Sequence, residues 1–190
     1  MTRCRLSIFI LALLFATFQP VASLASDDPN VVFIEMGGSE DPRLSGVKAG
    51  FGLYDDHTAL LAGLSLLGSS NNDDLFAGIN MGVRFHPMDP FDYPVTPFIG
   101  LGGFVGYSWE EVNADDDDID NDEDGDVDEE GETKTTIKDT LSAIYPEIGL
   151  HIDLMGSGLL TLSAHYNITT QGREFDHWFY TFSFSFPLNF

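Results

Sequence analysis

From Trp178 to Phe190 every second residue is bulky and apolar: Trp178, Tyr180, Phe182, Phe184, Phe186, Leu188 and Phe190. The positions between them, Phe179, Thr181, Ser183, Ser185, Pro187 and Asn189, are mostly smaller or more polar. Only an extended chain puts residues i and i+2 on one side, because the pleat sends successive side chains to opposite faces. A helix would scatter the rings around its axis. The segment reads as a strand with one greasy and one mixed face.

The same alternation returns seven times upstream. Its apolar faces are Val32, Ile34 and Met36; Val47, Ala49, Phe51 and Leu53; and Leu60, Ala62, Leu64 and Leu66. A fourth comprises Leu75, Ala77, Ile79, Met81, Val83 and Phe85, and a fifth Val95, Pro97, Ile99, Leu101, Val105, Tyr107 and Trp109. The sixth strand, near 137–154, offers Ile144, Pro146, Ile148, Leu150, Ile152 and Leu154. The seventh, near 159–169, offers Leu160, Leu162, Ala164, Tyr166 and Ile168. Eight strands result.

The opposite faces carry Glu35, Lys48, Tyr54, Asn80, Arg84, Glu147, His151, Asp153, Thr161, Ser163, His165 and Asn167. They are also rich in glycine, at positions 50, 52, 63, 78, 82, 100, 102, 106 and 149. A soluble carrier keeps apolar side chains inside and polar ones in water, whereas here the bulky face is the apolar one. Small residues mixed with both charge signs suit a narrow interior that side chains must fill. Lipid demands the reverse outside, and a sheet with no open edge. The expectation is an all-β fold, a closed antiparallel eight-stranded transmembrane β-barrel.

The N-terminus gives the route. Arg3 and Arg5 precede an apolar run from Leu6 to Phe15, and Ser23-Leu24-Ala25 offers small residues for cleavage. That is the build of a secretory signal peptide over residues 1–25, too short in its apolar run to span comfortably. No later stretch is apolar for the roughly 20 residues of a spanning helix. Residues 26–190 then form one barrel domain, and location in a cell outer membrane follows. Cys4 is the one cysteine and lies in the leader, which excludes disulfides and thiolate chemistry from the mature chain.

Connections alternate in length. Those at 55–57 and 155–157 are short and that at 87–94 is moderate, whereas the set between them includes a long acidic loop at about 110–136. Transmembrane barrels put short turns in the periplasm and long loops outside. The acidic loop is therefore expected outside, with Tyr107, Trp109, Trp178 and Tyr180 near the outer rim and Phe85 and Phe190 near the inner one.

On these residues the chain resembles the small outer-membrane β-barrel superfamily of the OmpA and OmpX type. The specific part is the last strand, where Phe182, Phe184, Phe186 and Leu188 lead to a terminal aromatic, Phe190. The resemblance implies that this end is read by the barrel-assembly machinery. It implies no substrate, because one fold hosts many functions.

Charge narrows the partners. The formal net charge is −23, and loss of Arg3 and Arg5 with the leader makes it −25, a poor match for nucleic acid phosphates. Glu110 to Glu132 holds 15 of the 31 acidic residues and no basic one. Within it Asp120, Asp122, Asp124, Gly125, Asp126, Val127 and Asp128 resemble the first nine positions of a calcium loop. Hard oxygen ligands at this density suit Ca²⁺. Gly131 stands where the bidentate Glu belongs, however, and the competing reading is a solvated, self-repelling loop.

On the mixed faces, Glu35, Lys48, Arg84, Glu147, His151, Asp153 and His165 are the candidate polar network. A buried charge demands a partner, so a paired core is the structural reading and a pore lining or gate the functional one. His165 lies in Ala164-His165-Tyr166-Asn167, faintly similar to a lipid A deacylase motif, but Asn167 stands where that motif has its Ser. The sequence therefore points to a non-enzymatic outer-membrane barrel with a structural or surface-interaction role. It meets membrane lipid and lipopolysaccharide, needs no cofactor, and carries an anionic loop as a divalent-cation candidate. A small pore is the alternative, and a lipid-modifying enzyme the remote one.

Overall fold

A computed structural model of the chain describes residues 30–39, 44–70, 74–113, 133–155, 157–172 and 175–188. They form one antiparallel sheet: β1 Asn30–Gly38, β2 Leu44–Asp55, β3 Thr58–Ser69, β4 Leu75–Phe85, β5 Val95–Asn113, β6 Thr133–Asp153, β7 Leu159–Tyr166, β8 Ile168–Thr169 and β9 Trp178–Pro187. Sequence neighbours pair from β1 through β7. Strand β9 pairs with both β7 and β1, so each of the eight long strands has a partner on either side. Exposure follows the alternation. Leu75, Ile79, Met81 and Phe85 of β4 are exposed, whereas Phe76, Asn80 and Arg84 between them are buried.

Three boundaries differ from the sequence reading. The seventh strand is interrupted at Asn167, leaving two-residue β8 paired with β6. Ile144↔Ile168 and Glu147↔His165 keep one register, so nothing is inserted between them. Tyr145 and Pro146 are simply skipped. Pro146 has no N–H to offer the strand opposite, whereas on the other side Asn167 continues the β9 register, its N–H donating to the His177 carbonyl (3.0 Å).

The acidic loop is shorter than about 110–136, because residues 110–113 and 133–136 are strand. β5 leaves β4 at Tyr107 but stays paired with β6 as far as Asn113↔Thr133, making a two-stranded ribbon. At its base Ser108 pairs with Asp139 and Trp109 with Ile137, so Lys138 is an extra, bulged residue. A bulge bends its strand and re-aims a side chain. Here Lys138 Nζ reaches Asp74 Oδ1 (2.5 Å), tying the ribbon's base to the β3–β4 connection.

The last strand ends at Pro187. Leu188 lies beyond it and donates its N–H to the Asn30 carbonyl (2.7 Å). The leader at 1–25, the five aspartates of the calcium candidate and Phe190 all lie outside the described residues.

Candidate functional site

The buried face is built in three tiers. At the end carrying the longer connections, Leu44, Phe76, Phe104, Leu141, Ala143, Phe175 and Phe179 form an apolar cluster. At the short-turn end Val31, Tyr54, Ala59 and Leu159 form another, with Leu61 and Phe91 against it. Between them lies the charge.

Glu35 and Lys48 are direct cross-strand partners, with Nζ 2.7 Å from Oε1. Arg84 makes a two-pronged contact with Glu147: Nε donates to Oε2 at 3.0 Å and Nη2 to Oε1 at 2.7 Å. The same Nη2 lies 3.4 Å from Glu35 Oε2, which joins both pairs. Two cations thus meet two carboxylates, and all four are buried or nearly so. The planar guanidinium fork matches a carboxylate edge, which is why Arg suits such a place.

Supporting contacts hold these groups still. The Ser163 hydroxyl lies 2.7 Å from both Glu147 Oε1 and Thr181 Oγ1. Arg84 lies over the Phe98 ring, 4.7 Å from its centre. Gly100 permits the approach: a Cβ there would sit 3.2 Å from Glu147 Oε2 and 3.3 Å from Arg84 Cγ. Asn80 Nδ2 donates to Ser65 Oγ nearby.

The remaining sequence candidates stand around this centre. His165 is stacked between Tyr145 and Phe179, at 4.3 and 5.2 Å between ring centres. His151 stacks on Phe98 (4.5 Å), with Nδ1 2.9 Å from Thr161 Oγ1. That distance would suit a base and its hydroxyl nucleophile. Both residues are sealed, at 0 % and 1 % exposure, so no substrate reaches them. Asp153, half-buried, ends β6 opposite Leu159.

The aromatic filling was missed in the sequence. Phe33, Phe98, Phe104, Tyr145 and Phe179 all turn inward, and glycines on facing strands make room for several of them. Gly102 pairs with Tyr145, and a Cβ there would lie 2.3 Å from the ring. Gly149 pairs with Phe98, where the same test gives 2.6 Å. Gly102, Gly106 and Gly149 are slots for rings, whereas at Gly50, Gly63 and Gly78 an added Cβ would meet the backbone of the neighbouring strand. A cavity of about 50 Å³ lies between the charged tier and the Phe175 cluster, room for a few waters.

His86 lies just beyond β4, in the turn that leads to β5. Its Nδ1 is 3.1 Å from both the Asp56 and Met88 carbonyls. Carbonyls only accept, so the proton sits on Nδ1. Burial, the dominant influence, holds its pKa below the ordinary imidazole value, against the pull of those carbonyls. The unfolded chain then binds a proton that the folded site resists. Stability rises with pH and is lost as pH falls below about 6.5. Urea unfolding in micelles at about pH 7 and about pH 5 should show the loss, and His86→Gln should shrink it. An unchanged pH dependence in that variant would assign the effect elsewhere.

One solved structure shares this architecture, and a second is more distantly similar. The N-terminal β-barrel domain of Pseudomonas aeruginosa OprF is similar with a TM-score of 0.53 and 13 % identity, over 85 % of this chain and 100 % of that one. Ail, the attachment invasion locus protein of Yersinia pestis, gives 0.41 and 10 %, over 84 % and 95 %. No protein-family model and no curated protein matches the sequence. At such identity the OprF likeness speaks for the fold.

Proposed function

We propose that this chain, with the fold of a small outer-membrane β-barrel, is an exported, non-enzymatic barrel protein with a structural or surface-interaction role. One observation carries the reading: burial is inverted. Ile79, Met81, Ile99, Leu101, Ile144 and Ile148 are each more than half exposed, while Glu35, Asn80, Arg84 and His151 are at most 4 % exposed. Water would reject that outer surface and hydrocarbon accepts it. Pairing on both sides of each long strand supports a closed wall, as lipid requires. Tyr107, Trp109, Trp178 and Tyr180 lie toward the rim with the longer connections and Phe85 and Phe186 toward the other, in keeping with two aromatic girdles.

The filled interior favours a barrel that does not conduct. Among the described residues, two apolar tiers flank the bonded charges and leave no wide aqueous path. In planar bilayers the mature chain should show no discrete conductance steps above background. Regular steps would overturn this and promote the pore reading, and a mature chain freely soluble without detergent would remove the membrane assignment altogether.

Two further parts of the proposal rest on sequence. The alternating rings Phe182, Phe184 and Phe186 with Leu188 and Phe190 serve as the insertion signal read by the assembly machinery. The loop carrying Asp120, Asp122, Asp124, Asp126 and Asp128 faces outward, toward lipopolysaccharide and its divalent ions, and holds Ca²⁺ weakly. Millimolar Ca²⁺ should shift the amide NMR signals of those residues in micelles, and superimposable spectra would reject the site.

A further inference from the structure

We infer that an oblique groove on the outward wall of β5, β6 and β7 is the seat of one phospholipid with a primary-amine head group, of the phosphatidylethanolamine class. The inference rests on the outer-membrane reading above and adds to it a lipid and a place for that lipid.

Two cross-strand rows of outward side chains form the sides of the groove. Ile99, Ile148 and Ala164 are register partners across β5, β6 and β7, and Phe85 of β4 extends their row. Pro97, Leu150 and Leu162 form the next row, two residues or about 7 Å along each strand. Ala164 is the smallest outward residue of β7, and Pro97 carries only a compact ring, so the wall is low at both places. The trough measures about 740 Å³, within the span of about 300–1,000 Å³ usual for ligand sites. Each of these outward side chains is apolar, which suits an acyl chain.

The head group is selected at the short-turn end. There the groove reaches Phe85 and Pro87, and the turn that follows carries Asp89, Asp92 and Tyr93. The β2–β3 turn lies alongside, because the Asp56 carbonyl accepts from His86 Nδ1 (3.1 Å). Asp56, Asp92 and Tyr93 are all exposed. Among the described residues this end of the sheet holds Asp55, Asp56, Asp89, Asp92 and Asp153, and no lysine or arginine. An anionic head group would be repelled. A primary ammonium brings three N–H donors to the carboxylates, in charge-assisted bonds that a quaternary choline cannot make. The Tyr93 ring, apolar in body and polar at its hydroxyl, suits the depth at which chain gives way to head group.

The test uses the full mature chain in detergent micelles holding equal amounts of phosphatidylethanolamine, phosphatidylcholine and phosphatidylglycerol with identical acyl chains, read by native mass spectrometry. One phosphatidylethanolamine should stay bound. Adding that lipid should shift the amide signals of Ile99, Ile148, Leu150, Leu162 and Ala164. Asp56→Asn combined with Asp92→Asn should cut the preference over phosphatidylcholine by about threefold, the scale of exposed ion pairs. Ala164→Leu should abolish retention while the barrel's dispersed amides persist. If that variant fails to form a barrel, the aspartate pair and the three-lipid competition still decide. Equal retention of the three lipids, preference for phosphatidylglycerol, or shifts spread evenly over β1 to β3 would each overturn the site and leave only a general lipid coat. A chain soluble without detergent, or spectra lacking a barrel's dispersion, would instead count against the outer-membrane reading. A well-formed barrel with no lipid preference counts against the groove only.

Discussion

Replacing Arg84 with alanine should cost the folded barrel about 3–5 kcal/mol, the loss typical when one member of a buried charge pair is removed. The arithmetic of the site says where that loss falls. Glu35 keeps Lys48 at 2.7 Å, so it stays compensated. Glu147 loses both prongs of the guanidinium and keeps the Ser163 hydroxyl. Combining Arg84→Ala with Glu147→Gln should therefore recover part of the loss, because a neutral amide tolerates the site better than an orphaned carboxylate. Arg84→Lys should fall between, since an ammonium keeps the charge and forfeits the fork. Urea unfolding in vesicles, followed by tryptophan fluorescence, measures all four proteins. A loss below about 1 kcal/mol for Arg84→Ala would mean that the pair is solvated like a surface one, and the sealed charged tier would be wrong.

The second large effect concerns glycine. A Cβ at position 149 would lie 2.5 Å from the Leu162 carbonyl oxygen and 2.6 Å from the Phe98 ring. That ring cannot easily retreat, because it lies under Arg84 and against His151. Gly149→Ala should therefore cost about 1–3 kcal/mol, the usual range for overpacking. Gly82 is the control on the same face. Its added Cβ would meet nothing closer than 3.4 Å, ordinary contact. Gly82→Ala should be neutral, or gain up to about 1 kcal/mol by restricting the unfolded chain. Equal effects at the two positions would show that Gly149 is not a ring slot.

Face assignment was legible because it is a property of one strand at a time. Alternation alone separates Ile79 and Met81 from Asn80 and Arg84, and their exposures divide the same way. The charged residues were legible as a set for the same reason. Their partners were not, since Arg84 lies 63 residues from Glu147 and only register brings the two together. The inward rings were hidden for a related reason. Phe98 and Tyr145 are interpretable only beside Gly149 and Gly102 on the neighbouring strand, and a glycine read by itself suggests empty space. The acidic loop was set too wide because Glu110 to Asn113 and Thr133 to Thr136 lack an apolar face. Among the described residues the ribbon packs on nothing but its own two strands, so no apolar face is needed and the pattern vanishes where the strand continues.

The missed rung at Pro146 has a mechanical consequence. Tyr166 and Asn167 are held to β6 by what lies on either side of them, and the register is the same above and below. Were the wall strained, tearing would begin at this place, and it could heal without any strand sliding past its neighbour. The seam between β6 and its neighbour thus has one unpaired stretch, at one fixed height of the sheet.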